Sequence, residues 1–211
     1  MNLDTDVRTP THLRLSGQPE AVQRQALEGI VRADPLLMRV LAELREIDLP
    51  EWLVVAGALY NRVWNELTGR PPLTGIKDID VFYFDDTDLS YEAEDAVIQR
   101  LATRFADLPI PVQVRNQARV HLWFPEKFGQ PFTPLRSAAE MLKLYASKTH
   151  AVAVRLEADD GLTILAPFGL DDIFSFRITP NPALMNRPGH DAKAARAKSV
   201  WPEITVVPWP D

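Results

Sequence analysis

Apolar residues recur at helical spacing near the start of the chain, over 20–32 and 35–46. In the second stretch Leu37, Val40, Leu41 and Leu44 form one stripe, Asp34 stands where a helix N-cap belongs, and Pro35 suits the first helical position. Residues 52–56 read as a short apolar strand. Gly57 breaks it, and 58–68 reads as a helix with Leu59, Val63 and Leu67 on one side, stopped by Gly69. A loop follows over 70–77, with two prolines and Gly75. Residues 79–84 then form a strand with Asp78 at its mouth, and Ser90 opens a helix whose buried side carries Val97, Leu101 and Phe105. Further strands are predicted over 110–114 and 119–124, and a helix from the Ser137–Glu140 capping box to about Ser147. Short strands over 151–156 and 162–165 precede a proline-rich tail with a weak basic helix at 191–199. Residues 1–18 are polar without a clear period and read as a flexible arm. The remainder, 19–211, reads as one domain.

Composition narrows the chemistry. The 211 residues are 46% hydrophobic and 25% charged, enough for a sizeable core without staples. There are no cysteines, which removes disulfides, thiolate chemistry and Cys-bound zinc. A net charge of -6 argues against an extended nucleic-acid surface. The polar N-terminus is not a signal peptide, and no apolar run approaches a membrane span, so the cytoplasm is the expected location.

The chemistry-bearing stretch is Lys77-Asp78-Ile79-Asp80-Val81. Residues two apart on a strand share a face, so Asp78 and Asp80 point together while Ile79 points away. Two adjacent carboxylates repel unless a cation or donor sits between them, and Mg²⁺ suits such an oxygen site. The same pair also fits a solvated strand end. Upstream, Gly57 and Ala58 join strand to helix, where glycine permits close backbone approach and free amides can meet phosphate. That turn alone also fits a simple connection. Asn61 and Arg62 follow within about one turn. Arg115, Asn116, Gln117, Arg119 and His121 concentrate polar groups in an otherwise apolar region, and on a strand Arg119 and His121 would share a face. That block suits a triphosphate or second substrate, or equally a basic edge paired with acids. Trp64, Trp123, Trp201 and Trp209 read as core or interface aromatics. His12, His150 and His190 lack metal-ligand spacing.

Taken together, strand, Gly-Ala, helix, loop and Asp-x-Asp strand resemble the nucleotidyltransferase superfamily. The stretches 57–65, 77–85, 114–123 and 166–172 resemble more closely a bacterial nucleotidyltransferase-like family, formerly a domain of unknown function, over roughly 25–210. The resemblance implies an α/β (α+β) fold: a small mixed sheet with flanking helices and a helical N-terminal segment. It implies that Asp78 and Asp80 bind Mg²⁺ (or Mn²⁺) and serve catalysis, and that Gly57 and Ala58 hold the phosphates of a nucleoside triphosphate. Asn61, Arg62, Lys77, Arg115 and Arg119 are the further candidates for nucleotide contact. Ala58 stands where the superfamily has serine. The superfamily's third carboxylate falls on the strand at 111–114, where this chain has Gln113, a neutral third ligand at most. Asp171 or Asp172 could supply the missing charge. The expected activity is nucleotidyl transfer to an unknown acceptor. The alternative is a non-catalytic nucleotide-binding or regulatory interaction protein.

Overall fold

The computed structural model describes residues 10–210. In chain order its regular elements are α1 (Glu20–Arg32), α2 (Pro35–Ile47), β1 (Leu53–Val55), α3 (Gly57–Thr68), β2 (Ile79–Tyr83), α4 (Tyr91–Arg104), β3 (Val112–Asn116) and α5 (Val120–Phe128). These are followed by β4 (Ala153–Leu156), β5 (Leu162–Leu165), α6 (Asp171–Phe174), β6 (Arg177–Ile178), α7 (Arg187–Val200) and β7 (Thr205–Val206). Five strands form one mixed sheet in the order β3-β2-β1-β4-β5, and β6 and β7 form a separate parallel pair. Only the β2–β3 pairing in the larger sheet is parallel, with α4 as the crossover. This is the mixed α/β architecture expected from the sequence.

The amphipathic stripes go where their periods direct them. Leu37, Val40, Leu41 and Leu44 of α2 are all buried, and the Asp34 side chain accepts hydrogen bonds from the Leu36 and Leu37 amides. Ser90 caps α4 through the Ala93 amide. β1 lies at the centre of the sheet with all three residues buried, as a strand covered on both faces requires. β2 alternates: Ile79, Val81 and Tyr83 are buried, while Asp80 and Phe82 face the more open side. Trp52, Trp64 and Trp201 are fully buried, whereas Trp123 is 37% exposed on α5.

Several expectations are corrected. The segment 119–124 is no strand. The Asn116 side chain accepts the Ala118 amide and turns the chain into a 3₁₀ turn at Gln117–Arg119, which leads into α5. Val120 and Phe124 are buried four residues apart, as on a helix, so Arg119 and His121 share no strand face. The region after Ser137 is a 3₁₀ helix, Ala138–Leu144, and not an α-helix reaching Ser147. Ser137 does cap the Glu140 amide, but Glu140 reaches back to the Arg136 amide and not to that of Ser137. The basic helix is longer than predicted, and α6, β6 and β7 had no sequence signal strong enough to read.

Within the N-terminal arm, residues 1–9 lie outside the described residues. Residues from Pro10 onward pack on the domain: His12 meets Phe176 edge-on, Ser16 bonds Ser175, and the Gly17 amide bonds Asp171. No helix among the described residues is long and apolar enough to cross a membrane.

Candidate active site

The turn between β1 and α3 sets the floor of the site. Ala56 has φ 54 and ψ −116, a conformation that costs a residue with a Cβ roughly 1–3 kcal/mol. It is held there from both sides. Its amide donates to the Val152 carbonyl at 2.8 Å, and its own carbonyl accepts from the Leu59 and Tyr60 amides at 2.9 and 3.2 Å. The strain lies at Ala56, one residue before the glycine singled out by the sequence. A Cβ on Gly57 would meet nothing nearer than the Asn61 side chain at 3.7 Å. Glycine is therefore not demanded by the protein's own packing, and its effect is to leave the floor open at the helix N-terminus.

Next to this turn, β1 and β2 pair so that Val55 lies opposite Asp80. That register brings the carboxylates to the mouth of the turn. A cleft of about 210 Å³ is lined by Ala56, Gly57, Tyr60 and Asn61 from the turn and α3, and by Gly75, Ile76, Lys77, Asp78 and Asp80 from the loop and β2. Tyr145 and, from α7, Lys193 and Arg196 complete the wall. A network beneath ties these walls together. The Asn65 side chain donates to the Pro72 and Thr74 carbonyls at 2.8 and 2.9 Å and accepts from the Trp201 indole at 3.0 Å. One buried amide thus links α3, the 70–77 loop and the end of α7.

The electrostatics follow from this enclosure. Burial, with Asp78 beside it, pushes the Asp80 carboxyl up to about 6, against the pull of Lys193 and Arg115. Burial also raises the Tyr60 and Tyr145 phenols, so both are neutral hydroxyls in the cleft. Beneath Tyr60, His150 stacks on its ring at 4.8 Å; burial holds His150 well below the usual imidazole range, and it stays neutral.

β2 and β3 run parallel with Asp80 opposite Gln113, and the Gln113 amide donates to Asp78 Oδ2 at 3.0 Å. Glutamine therefore lies beside the carboxylate pair as a neutral neighbour. No third His, Asp or Glu joins Asp78 and Asp80 in a metal-holding group among the described residues. Asp171 and Asp172, considered as substitutes, are engaged elsewhere: Asp171 by Gly17, Gln23 and Arg177, and Asp172 by Arg177. Two carboxylates, Asp78 just before β2 and Asp80 within it, mutually repelling and open to one cleft, fit one hard divalent ion that keeps waters or phosphate oxygens for its other positions.

Of the remaining sequence candidates, Asn61 and Lys77 line the cleft. Ala58 does not. It is 1% exposed and faces the interior, so only its backbone stays near the turn. Arg62 is buried in an ion pair with Asp34 at 2.8 Å, with Glu66 at 3.0 Å, and lies outside the cleft lining. Arg119 pairs with Glu94 and bonds the Leu89 carbonyl, so it too is structural. Arg115 shares the sheet face of Gln113 two residues further on, opposite Phe82, and borders a neighbouring groove. Sequence reasoning missed Tyr60, Tyr145, Lys193 and Arg196. The only available signal was the basic helix at 191–199, where Lys193 and Arg196 are three apart.

A scan against protein families matches residues 42–206 to the family described as Nucleotidyltransferase. A search of curated proteins returns no match. Among solved structures, one described as an NMR structure that reveals a CCA-adding enzyme head domain is similar, with a TM-score of 0.71 and 23% identity, over 88% of this chain and 96% of that one. At that identity the likeness concerns the fold. The family match runs from the end of α2 to β7, enclosing the turn, both carboxylates and α7, and the chain belongs to the nucleotidyltransferase family.

Proposed function

We propose that this protein is a divalent-metal-dependent nucleotidyltransferase that moves a nucleotidyl group from a nucleoside triphosphate to an acceptor hydroxyl or phosphate. The observation that carries the reading is the shared cleft of Gly57, Asp78 and Asp80, within a chain of this family. Asp78 and Asp80 would hold one Mg²⁺ or Mn²⁺, which supplies charge neutralisation at the phosphates. Amides at the start of α3 face the phosphates, and Asn61 and Lys77 contact the nucleotide from either side of the floor. An acceptor oxygen attacks the α-phosphorus, a hydroxyl acceptor releasing its proton to solvent water; the bond from that phosphorus to the bridging oxygen of the β-phosphate breaks, and pyrophosphate leaves. Tyr60 and Tyr145, kept neutral by burial, donate hydrogen bonds where charge develops. Arg62 and Arg119 take no part, because both are committed to ion pairs.

A second reading has specific support. The neutral Gln113 beside Asp78, with no third acid among the described residues, favours a protein that binds nucleotide without transferring it. The two separate in one assay. The chain is incubated with α-labelled triphosphates, Mg²⁺, and small-molecule, RNA and protein fractions as acceptor pools. Transfer predicts label in one fraction together with released pyrophosphate, both lost in Asp78→Asn/Asp80→Asn. Triphosphate binding with no pyrophosphate release in any fraction establishes the non-catalytic reading instead.

A further inference from the structure

Lys193 and Arg196 lie three residues apart on α7 and so project from one side of it, while His190, Ala194 and Ala197 are buried and anchor the helix. Both cations line the cleft that holds the carboxylate pair. Among the described residues most arginines, Arg62, Arg70, Arg119 and Arg177 among them, are held in ion pairs, whereas no ion pair there involves Lys193 or Arg196. α7 is held against the cleft from its C-terminal end, where the Trp201 indole donates to Asn65 and the Trp201 ring packs so tightly on Gly75 that a Cβ there would approach to 2.4 Å. The Lys193 ammonium sits 5.6 Å from the centre of the Tyr145 ring. Lys193 is exposed as a whole residue, yet its charged end lies in the cleft.

Resting on the nucleotidyltransferase reading, we propose that Lys193 and Arg196 bind the polyphosphate of the substrate. In this proposal Lys193 is also a tethered counter-cation for Asp78 and Asp80, doing part of the neutralisation that a second metal ion performs in a three-carboxylate site. Two carboxylates offer a second divalent ion less negative charge than three would, while the phosphates still carry charge that must be met. A lysine and an arginine one turn apart meet it with a point charge and a planar fork.

A tethered cation makes opposite contributions to two ligands: it attracts polyphosphate and repels a free metal ion. Calorimetric titration of the full chain with Mn²⁺ alone, with inorganic tripolyphosphate plus Mg²⁺, and with ATP, GTP, CTP and UTP plus Mg²⁺ reads both. Lys193→Met is expected to weaken tripolyphosphate binding about tenfold or more, the loss of one charge-assisted hydrogen bond. The same variant should tighten Mn²⁺ alone by about threefold or more, since a like charge is removed. Arg196→Gln is expected to weaken tripolyphosphate similarly and leave Mn²⁺ unchanged. Tripolyphosphate affinity unchanged in both variants overturns the phosphate role, and Mn²⁺ affinity unchanged or weakened in Lys193→Met overturns the counter-cation role. Tripolyphosphate binding without any nucleoside triphosphate binding leaves this inference standing and removes the nucleotidyltransferase reading.

Discussion

Asp80 concentrates the tension of the site in one side chain. Its carboxyl is raised from 3.8 to about 6, first by burial and then by Asp78. The folded chain therefore holds that proton more tightly than the unfolded chain. Measured against a neutral side chain, Asp80 costs no stability below about pH 4, where it is protonated in both states; the cost grows as pH rises and is complete above about 6. Asp80→Asn removes the charge without changing the shape. Urea denaturation should find this variant more stable than the unaltered protein at pH 7 by on the order of 1–2 kcal/mol, with the difference closing as pH falls toward 4. A difference that is constant with pH would mean that the carboxylate is not strained by its surroundings. Asp78 and Asp80 were legible in the sequence because a two-residue period on a strand is local information. Arg62 and Arg119 were not separable from ligand contacts, because their partners Asp34 and Glu94 lie 28 and 25 residues away and only folding brings them together.

At the level of elements, local periodicity succeeded wherever one period fitted and no other. The α2 stripe and the β2 alternation are of that kind. It failed at 119–124, where Val120, Leu122 and Phe124 alternate like a strand while Val120 and Phe124 also stand one helical turn apart. The Asn116 side chain, capping the Ala118 amide, decided for the helix, and Leu122 is left 50% exposed. The cleft wall shows the same limit of local reading. Lys193 and Arg196 join Lys77, Asp78 and Asp80, more than 100 positions earlier, because Asn65 and Gly75 receive Trp201 at one end of α7 and Ser147 bonds His190 at the other. Gly75 is the sensitive point: it has φ +72, and an added Cβ would run into the indole. Gly75→Ala should cost roughly 1–3 kcal/mol in chemical denaturation from overpacking and backbone strain. It should also weaken triphosphate binding, since loop and helix shift together. Full stability in this variant would show that the loop and α7 do not depend on each other.

For the whole molecule, the sheet order brings three distant segments to one place. Central β1 delivers the strained Ala56–Gly57 turn, neighbouring β2 delivers the carboxylates, and the C-terminal helix closes the cleft with cations. The sequence order of turn and Asp-x-Asp strand was enough to anticipate the first two and the family, but not the third. The central claim is that this cleft binds a nucleoside triphosphate through a metal ion on Asp78 and Asp80. It is tested most directly by calorimetric titration of the full chain with ATP, GTP, CTP and UTP, each with and without Mg²⁺, for the unaltered protein and for Asp78→Asn/Asp80→Asn. Binding of at least one triphosphate that strengthens about tenfold or more with Mg²⁺ is expected. The Mg²⁺ dependence should be absent in the folded double variant. No triphosphate binding at millimolar concentration, or an Mg²⁺ dependence that survives in the double variant, would contradict the account.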